Sequence, residues 1–584
     1  MAEVGDASET KVACMNSVTS FDLAGRVPIV LAATGHRVIP TQDEEALCKA
    51  VSSELNLIAK SNPHSPCILI SALAEGADRL VAGCALTLGW QLCAVLPLTQ
   101  DDYETDFHDD ESVAEFRELL KRSTWVKVLD AKHHLRPTCY HELGLWLSQQ
   151  AQVLIALWDG EQAKGPGGTA EVILNFREGV ALAQPILPDS GPVIHIQTRQ
   201  TLLQQASADF EVGRVRMLPA SPGGLPSDGE ANRWRVVLSR IDKFNKDSID
   251  AQRVDGQLTA TWGLPFPQWA STHLAGSKVE LARHLFLSAD ALSISAQKER
   301  DRMFMGLLGF SAVAILLSQV YSSLFSIATL LACAVGLIGV GACWYWAASQ
   351  RNLEGRYLDY RALAEACRVQ YFWKLVGIGE CASVHFLREQ RDELEWIRQA
   401  IQTSEIGDEE AKDAPLLDRL MFVRTAWIDD QLKYFGGANG RIGKAALNHL
   451  NDVKWSQRSR LLFVLGMTLT LMTAIFHVFF ADTTVPLHDW AQRSMIVGYS
   501  ILFASSGLVK VYQETRAFAE HAKLYQRMDL ALQLTRSRLD AALACGDLEL
   551  AVEIVRSLGI EALAENGNWL LMHRERPVLV QGIG

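Results

Sequence analysis

Three glycine-containing motifs hold the residues of this sequence best suited to contact a small charged molecule. They are Thr34-Gly35-His36-Arg37, Glu75-Gly76-Ala77-Asp78-Arg79 and Gly167-Gly168-Thr169-Ala170-Glu171. Each follows a short apolar run and precedes a predicted helix. Glycine allows the backbone to approach a ligand closely, and the N–H groups and dipole of a helix N-terminus attract phosphate or carboxylate oxygens. The candidate ligand-binding residues are Gly35, His36, Arg37, Glu75, Gly76, Asp78, Arg79, Gly167, Gly168, Thr169 and Glu171.

The side chains of these motifs suit a nucleotide-type ligand. Thr169 could cap its helix or bond a phosphate, and Asp78 and Glu171 could accept hydrogen bonds from ribose hydroxyls. The alternative is that the glycines serve ordinary turn chemistry in an α/β domain. No catalytic residue is assigned, and enzymatic activity stays open.

The elements that must position these motifs alternate between short strands and helices. Strands are predicted at 27–33, 67–71, 92–98, 125–129, 153–158 and 193–196, and helices at 42–60, 80–88 and 140–150. This alternation predicts an α/β, Rossmann-like domain with a parallel sheet and helices on both faces. Ligands bind such sheets at the carboxyl ends of the strands, which is where the three motifs fall.

Apolar residues are concentrated in the second half of the chain. The 584 residues have a net charge of −12 and a mean hydropathy of +0.07. An acidic balance argues against nucleic acid as the main partner. The 48 residues 303–350 contain no Asp, Glu, Lys or Arg, and neither do 461–481 or 494–509. Because a membrane helix needs about 20 apolar residues, we predict four transmembrane helices in two hairpins, with long cytoplasmic helices attached. The alternative is a set of core helices in a large soluble domain.

Charges at the ends of the hairpins predict their orientation. Lys and Arg cluster before and after each hairpin, whereas the connecting loops hold only Arg493 against Asp482 and Asp489. By the positive-inside rule, both hairpins then begin and end in the cytoplasm, together with the N-terminal domain and the C-terminus. The N-terminus lacks the pattern of a secretory signal. The 11 cysteines form no CxxC pair and no zinc-ligand spacing, so we predict buried thiols in a reducing compartment and no metal site.

The two hairpins are predicted to be internal copies. Arg361-Ala362-Leu363-Ala364-Glu365 follows the first, and Arg516-Ala517-Phe518-Ala519-Glu520 follows the second. Arginine and glutamate four residues apart share a helix face. They form either a solvated ion pair or a contact that transmits movement to the membrane helices, and the sequence leaves both open. His477 is the one ionisable group inside the predicted passes, and it either marks an ion pathway or bonds a neighbouring helix.

Two family resemblances follow from these residues. T-G-H-R, A-E-G-A-D-R and G-P-G-G-T-A-E resemble the SLOG superfamily of Rossmann-like domains, which includes nucleotide sensors of bacterial defence systems and the "lonely guy" phosphoribohydrolases. The duplicated hairpin-plus-helix unit resembles the SLATT family of two-pass membrane effectors associated with SLOG domains. In the hydrolases the glutamate follows the threonine by three residues, whereas Glu171 follows Thr169 by two. The resemblance therefore implies binding more directly than hydrolysis.

What the resemblances imply is a membrane effector of an anti-phage defence system. A nucleotide-derived messenger would bind the N-terminal domain, and the membrane helices would form a pore or disrupt the bacterial inner membrane. The expected partners are the lipid bilayer, the messenger and further copies of the chain in a homo-oligomer, with no other cofactor. A membrane-anchored hydrolase that cleaves the glycosidic bond of a nucleotide or NAD, and a ligand-regulated ion channel, are the alternatives.

The predicted segments follow from these assignments. They are a flexible tail (1–23), the ligand-binding domain (24–200), a coupling region (201–280), a first two-pass unit (281–403), a linker (404–417) and a second two-pass unit with a C-terminal cap (418–584).

Overall fold

The computed structural model describes most of the chain. The described residues are 23–129, 135–162, 167–179, 191–200, 210–220, 228–255, 264–265, 267, 277–324, 327–350, 353–386, 391–407, 414–438, 440–480 and 486–575. Some predictions lie outside them: the tail up to residue 22, the start of the third motif at 165–166, residues 408–413 of the linker and the cap beyond residue 575.

The described residues form two compact units, and each is presented by itself. The first lies within Met1–Ser288, Ala366–Lys374 and Gly379–Asp413, and the second within Ala289–Glu365, Leu375–Ile378 and Ala414–Gly584. These units differ from the segments drawn on the sequence, because the described parts of 210–288 and 379–407 belong to the same unit as the sheet.

A seven-stranded sheet forms the centre of the first unit. Its strands are β1 (Ile29–Gly35), β2 (Cys67–Ser71), β3 (Gln91–Leu96), β4 (Trp125–Val128), β5 (Val153–Trp158), β6 (Val193–Gln197) and β7 (Val215–Leu218). Their order across the sheet is β4-β3-β2-β1-β5-β6-β7. The strands are parallel except β7, which pairs antiparallel with β6. The doubly wound fold is confirmed, and the antiparallel edge strand is an addition that the sequence did not predict.

Helices cover both faces of this sheet. They are α1 (Thr41–Ser61), α2 (Ala77–Thr87), α3 (Gln100–Glu104), α4 (Asp110–Arg122), α5 (Arg136–Gln150), α6 (Thr169–Glu178) and α7 (Asp228–Asp255). Every residue from Ile29 to Ala33 is fully buried, and a strand buried on both sides needs cover on both sides. Val30 and Ala32 share a hydrophobic cluster with Leu143 of α5 and Val172 of α6, whereas α2 packs on β1, β2 and β3 and against α1.

Helix α7 lies within the segment predicted as a coupling region, and its side chains bind the segments that lead into β1 and β2. The side chain of Asn245 accepts a hydrogen bond from the Val27 N–H and donates one to the Val27 carbonyl, both at 2.8 Å. Asp242 accepts from the backbone N–H of His64 at 2.7 Å. This part of the chain is therefore built into the α/β unit.

The described residues of the rest of the chain form helices and one two-stranded hairpin, β8 (Gly437–Ala438) with β9 (Arg441–Ile442). Its helices are α8 (Lys278–Leu324), α9 (Ile327–Gln350), α10 (Leu353–Val376), α11 (Arg391–Gln402), α12 (Leu416–Val423), α13 (Asp429–Phe435), α14 (Lys444–Phe480), α15 (Pro486–Thr515), α16 (Phe518–Cys545) and α17 (Leu548–Glu575). The two predicted copies show the same order of three helices, α8-α9-α10 and α14-α15-α16.

Three stretches are long and apolar enough to cross a membrane among the described residues. They are Lys278–Gln319, Lys444–Phe479 and Trp490–Cys545. No more than 11% of the apolar window in any of them is buried within the protein, so these surfaces are free to face lipid. The second predicted pass corresponds to α9, a helix of 24 residues that is not among the three, so four spans are not confirmed.

Small and hydroxylated residues allow α14 and α15 to pack closely. Ser459 and Ser506 each donate a hydrogen bond to the other's backbone carbonyl, at 3.1 and 2.8 Å. A Cβ on Gly466 would lie 3.1 Å from the ring of Phe503, so the absence of a side chain there lets the helices approach. Both devices are typical of helix pairs in membranes.

Candidate functional site

Strands β1 and β5 are neighbours in the sheet, and the chain runs outward from them in opposite directions. Residues Leu31 to Gly35 of β1 pair with Val153 to Leu157 of β5. The loops that follow the two strands therefore diverge, one toward α1 and the other toward α6, and the crevice expected of such a sheet lies between them at the carboxyl ends. This is the switch point at which doubly wound sheets bind ligands. The first and third motifs come to this point as the sequence predicts.

The first motif is tied to both of its neighbours by His36. Its backbone N–H donates to the Leu157 carbonyl at 3.1 Å, and its carbonyl accepts from the Ala77 N–H at 3.0 Å. Its Nε2 accepts from the Asp159 N–H at 2.9 Å, and its Nδ1 lies 3.1 Å from the side-chain amide of Gln200. The His36 side chain is only 10% exposed. His36 thus positions the crevice, and little of it is open to a ligand.

Gly35 and Gly76 allow three backbone segments to meet. A Cβ on Gly35 would lie 2.4 Å from that of Ala77 and 2.7 Å from the Leu157 carbonyl oxygen. Gly76 has φ +78°, and a Cβ there would lie 2.3 Å from the Arg37 carbonyl oxygen. These glycines are required for the close approach of β1, β5 and α2. The second motif is thereby brought against the first.

Arg37 is the exposed cation of the motifs. Its guanidinium carbon lies 5.2 Å from the centre of the Tyr140 ring, a cation–π contact. The Tyr140 hydroxyl donates to Asp106, which also accepts from Arg136 at 2.7 Å. Tyr140 and Asp106 were missed by sequence reasoning, because nothing in a helix starting at 136 marks a residue that contacts the first loop. The aromatic ring holds the arginine at the mouth of the crevice.

Asp78 lies in the first turn of α2 and is 6% exposed. Burial raises the pKa of its carboxyl to about 7, while a backbone hydrogen bond from Ala74 and the charge of Arg37 act in the opposite direction. The Tyr103 hydroxyl is buried nearby, and the described part of the chain provides no hydrogen-bond partner for it. A carboxyl group that is half-protonated near neutral pH therefore lies behind Arg37.

The third motif begins α6. The Thr169 hydroxyl donates to the Gly35 carbonyl at 2.8 Å, which ties this motif to the first. Glu171 accepts a hydrogen bond from the Gly167 N–H and lies 2.9 Å from Nδ1 of His141. The N-cap residues of α6 and α2 are Gly168 and Gly76, which have no side chain to cap these helices. Their positive ends are thus available to an anion.

Two predicted site residues contact α4 instead of the crevice. Glu75 accepts from the His108 N–H at 2.8 Å and from the Ser112 hydroxyl. Arg79 is 4% exposed and donates to the Ser112 carbonyl and to Glu115, both at 2.9 Å. They hold the second motif in place. Of the predicted set, nine residues meet around the switch point: Gly35, His36, Arg37, Gly76, Asp78, Gly167, Gly168, Thr169 and Glu171.

A separate cavity in the first unit is too small for such a ligand. It measures about 30 Å³ and is lined by residues including Trp234, Ser383 and Arg398. Ligand pockets are usually about 300–1,000 Å³. In addition, no cluster of three or more metal-ligating side chains occurs within the ranges given above.

In the second unit, the arginines of the two R-A-[LF]-A-E motifs both pair with α8. Arg361 lies 3.2 Å from Asp290 and also pairs with Glu365, and Arg516 lies 3.0 Å from Asp301. The arginine side chains are 29% and 25% exposed. Eleven residues separate the two aspartates, about three helical turns, so they share one face of α8. The arginines are therefore packed contacts to the helix that carries the first predicted pass.

His477 contacts the neighbouring helix of its hairpin. Its Nδ1 lies 3.2 Å from the side-chain amide of Gln492 in α15. The sequence allowed two roles for His477, part of an ion pathway or a bond to a neighbouring helix, and this contact corresponds to the second.

Comparison with models of known protein families found no match, and a search of curated proteins found no relative. The SLOG and SLATT assignments stay resemblances carried by the motifs.

Proposed function

We propose that this chain is a membrane effector controlled by a nucleotide-type ligand. The α/β unit binds the ligand at the switch point, and binding changes the packing of the membrane helices so that they form a pore or disrupt the bilayer. The observation that carries this proposal is the presence in one chain of a switch-point crevice lined by the three motifs and of three long apolar helical stretches whose surfaces are unburied.

The crevice has the chemistry of an anion site with room for polar recognition. The uncapped N-termini of α2 and α6 supply backbone N–H groups, and Arg37 supplies an exposed charge. Phosphate oxygens suit both. Glu171, whose side chain is partly exposed, supplies an acceptor for the hydroxyls of a ribose. A ligand that combines phosphate and sugar uses all of these groups together, which a simple anion does not.

Helix α8 supplies the route from ligand to membrane. It belongs to the first unit up to Ser288 and to the second from Ala289, and it continues into the first predicted pass. Asp290 and Asp301 clamp it to the two arginines of the duplicated motif. A displacement of α8 along its axis breaks the Asp290–Arg361 and Asp301–Arg516 ion pairs at once. This clamp of two ion pairs therefore gives α8 two discrete positions, one with both pairs formed and one with both broken.

The membrane assignment extends to orientation and assembly. The basic flanks support an inner-membrane protein that crosses the bilayer four times with both termini in the cytoplasm. Four passes in one chain are few for a pore, so the pore is built by several copies of the chain.

The test is ligand-dependent leakage from reconstituted vesicles. The full-length protein is placed in phosphatidylethanolamine–phosphatidylglycerol vesicles filled with a fluorescent dye, and NAD, ADP-ribose, nucleoside phosphates and cyclic dinucleotides are added singly. We expect one of these classes to release dye. Arg37→Ala should require at least about tenfold more ligand, because a charged hydrogen bond is lost. Arg122→Ala, an exposed arginine at the end of α4, is the matched control and should behave as wild type.

Two outcomes contradict the proposal. One is the absence of leakage with every probe. The probes include a nucleotide extract that contains a molecule shown by mass spectrometry to co-purify with the protein. The other is an equal ligand requirement in the Arg37 and Arg122 variants, which removes the switch point from the mechanism.

A membrane-anchored glycosidic-bond hydrolase is the second candidate. It is favoured by the Glu171–His141 pair, because a carboxyl group beside an imidazole can take part in general acid–base catalysis. Incubation with NAD and nucleoside monophosphates, followed by chromatography for free base, tests it. Release of base by wild type but not by Glu171→Gln supports hydrolysis. Intact substrate contradicts hydrolysis and does not affect the effector proposal.

A further inference from the structure

Two cysteines that are distant in the sequence come together between α1 and α2. The Sγ atoms of Cys48 and Cys84 lie 3.0 Å apart, in direct contact. Cys48 is in the third turn of α1 and Cys84 is in the last two turns of α2. Neither spacing nor flanking residues distinguish this pair from the other nine cysteines in the sequence.

The two thiols have different environments. Cys48 is exposed, whereas Cys84 is buried. Burial and the hydrogen bond with Cys48 raise the pKa of the Cys84 thiol to about 12. A solvent-borne oxidant therefore reaches Cys48 first, and Cys84 is positioned to react with whatever forms there.

We propose that Cys48 and Cys84 are a redox modification site, converted by hydrogen peroxide to a reversible intramolecular disulfide. Peroxide transfers one oxygen to the Cys48 sulfur, which becomes a sulfenic acid while water leaves. The Cys84 sulfur then attacks the Cys48 sulfur, and its proton leaves with the displaced hydroxyl as a second water. The two thiols are oxidised by two electrons and the peroxide is reduced to two waters. This modification does not depend on the proposed membrane function.

The bond would act on the second motif. The chain between Cys48 and Cys84 includes β2, Gly76 and Asp78, so the disulfide closes a ring around the loop that starts α2. A ring of this size reduces the freedom of the unfolded chain. Oxidation is thus expected to stabilise the α1–α2 pair and to slow the opening of α2.

The test is peptide mapping of the full-length protein in detergent. The protein is treated with hydrogen peroxide, alkylated with N-ethylmaleimide, digested and analysed by mass spectrometry. We expect a peptide pair linked through Cys48 and Cys84 that disappears on reduction with dithiothreitol. The same treatment should slow amide exchange in α2.

Three variants and one internal control make the result decisive. Cys48→Ser should give no linked peptide, and Cys84→Ala should leave a Cys48 sulfenic acid that dimedone traps. Cys93→Ala should still form the link, which shows that the neighbouring buried thiol in the same peptide is not the partner. Cys545, exposed on α16, reports general oxidation. The proposal is overturned if wild-type Cys48 is trapped by dimedone as fully as in Cys84→Ala, or if Cys545 is oxidised while Cys48 stays reduced.

Discussion

Gly76 offers the sharpest test of how the three motifs are held together. Its φ of +78° is unfavourable for any residue with a side chain, and a Cβ would lie 2.3 Å from the Arg37 carbonyl oxygen and 2.6 Å from that of His36. Both obstacles are backbone atoms, so no side-chain rotation relieves the clash. We therefore expect Gly76→Ala to push the first motif away from the start of α2.

The magnitude can be separated into two parts with matched substitutions. Gly89 has φ +79° and open space around it, so Gly89→Ala measures backbone strain alone, about 1–2 kcal/mol. At Gly35 the φ is ordinary but the space is filled, so Gly35→Ala measures overpacking alone, about 1–3 kcal/mol. Gly76→Ala combines the two and should cost about 2–5 kcal/mol.

Hydrogen exchange followed by mass spectrometry measures these costs locally. A chain of two units is not expected to unfold in one step, so a single unfolding free energy would be ill defined. Since 1.4 kcal/mol is a factor of ten, β1 and α2 should lose about 5–150-fold more protection in Gly76→Ala than in Gly89→Ala. Exchange in α14 and α15 is the internal control and should be unchanged. Equal losses in the two variants would refute the claim that backbone contact at Gly76 holds the motifs together.

Three further predictions concern Asp78, the Asp301–Arg516 ion pair and the Ser459–Ser506 contact. Because the folded pKa of Asp78 is raised to about 7, its stabilising contribution is complete below the unfolded value of 3.8 and is lost as pH rises through 7. The protection of α2 from hydrogen exchange in Asp78→Asn should therefore gain on wild type between about pH 4 and about pH 7, and a pH-independent difference would contradict this. Asp301→Ala and Arg516→Ala should each lower the hydrogen-exchange protection of α8 in detergent. The double variant should lose less protection than the product of the two single losses, with a coupling of about 1 kcal/mol; independent losses would contradict the clamp on α8. Cysteines in place of Ser459 and Ser506, whose hydroxyl oxygens are 3.2 Å apart, should form a disulfide on mild oxidation, detected as a linked peptide; its absence would contradict the α14–α15 packing.

Much of the α/β unit could be predicted from the sequence, because buried parallel strands are short, continuous apolar runs. The predicted limits of β2 and β5 agree with the structure, and those of β4 and β6 differ by one residue. Strand β7 was missed because it lacks such a run: Val215 and Arg216 are exposed at the edge of the sheet. Helix α4 was missed because its surface is dominated by charged residues. The apolar stretches of α8, α14 and α15 were predicted because each contains a run without Asp, Glu, Lys or Arg that is about as long as a membrane span.

The candidate site was predictable only in part. A polar motif directly after a buried strand is a local signal, and the same rule would have found Asp159 after β5. The sequence could not show that Glu75 and Arg79 contact α4, since both are as polar as their neighbours that line the crevice. Nor could it show that Tyr140 lies against Arg37.

By itself the sequence determined the types of elements, the membrane-compatible stretches and the loops that carry chemistry, because apolar periodicity, glycine and charge act over a few neighbouring residues. The tertiary structure decided that β1 and β5 are adjacent, that the two repeated arginines reach one face of α8 and that Cys48 touches Cys84. Those juxtapositions depend on strand order and helix packing, which result from contacts between residues far apart in the chain and leave no mark on either residue's local sequence.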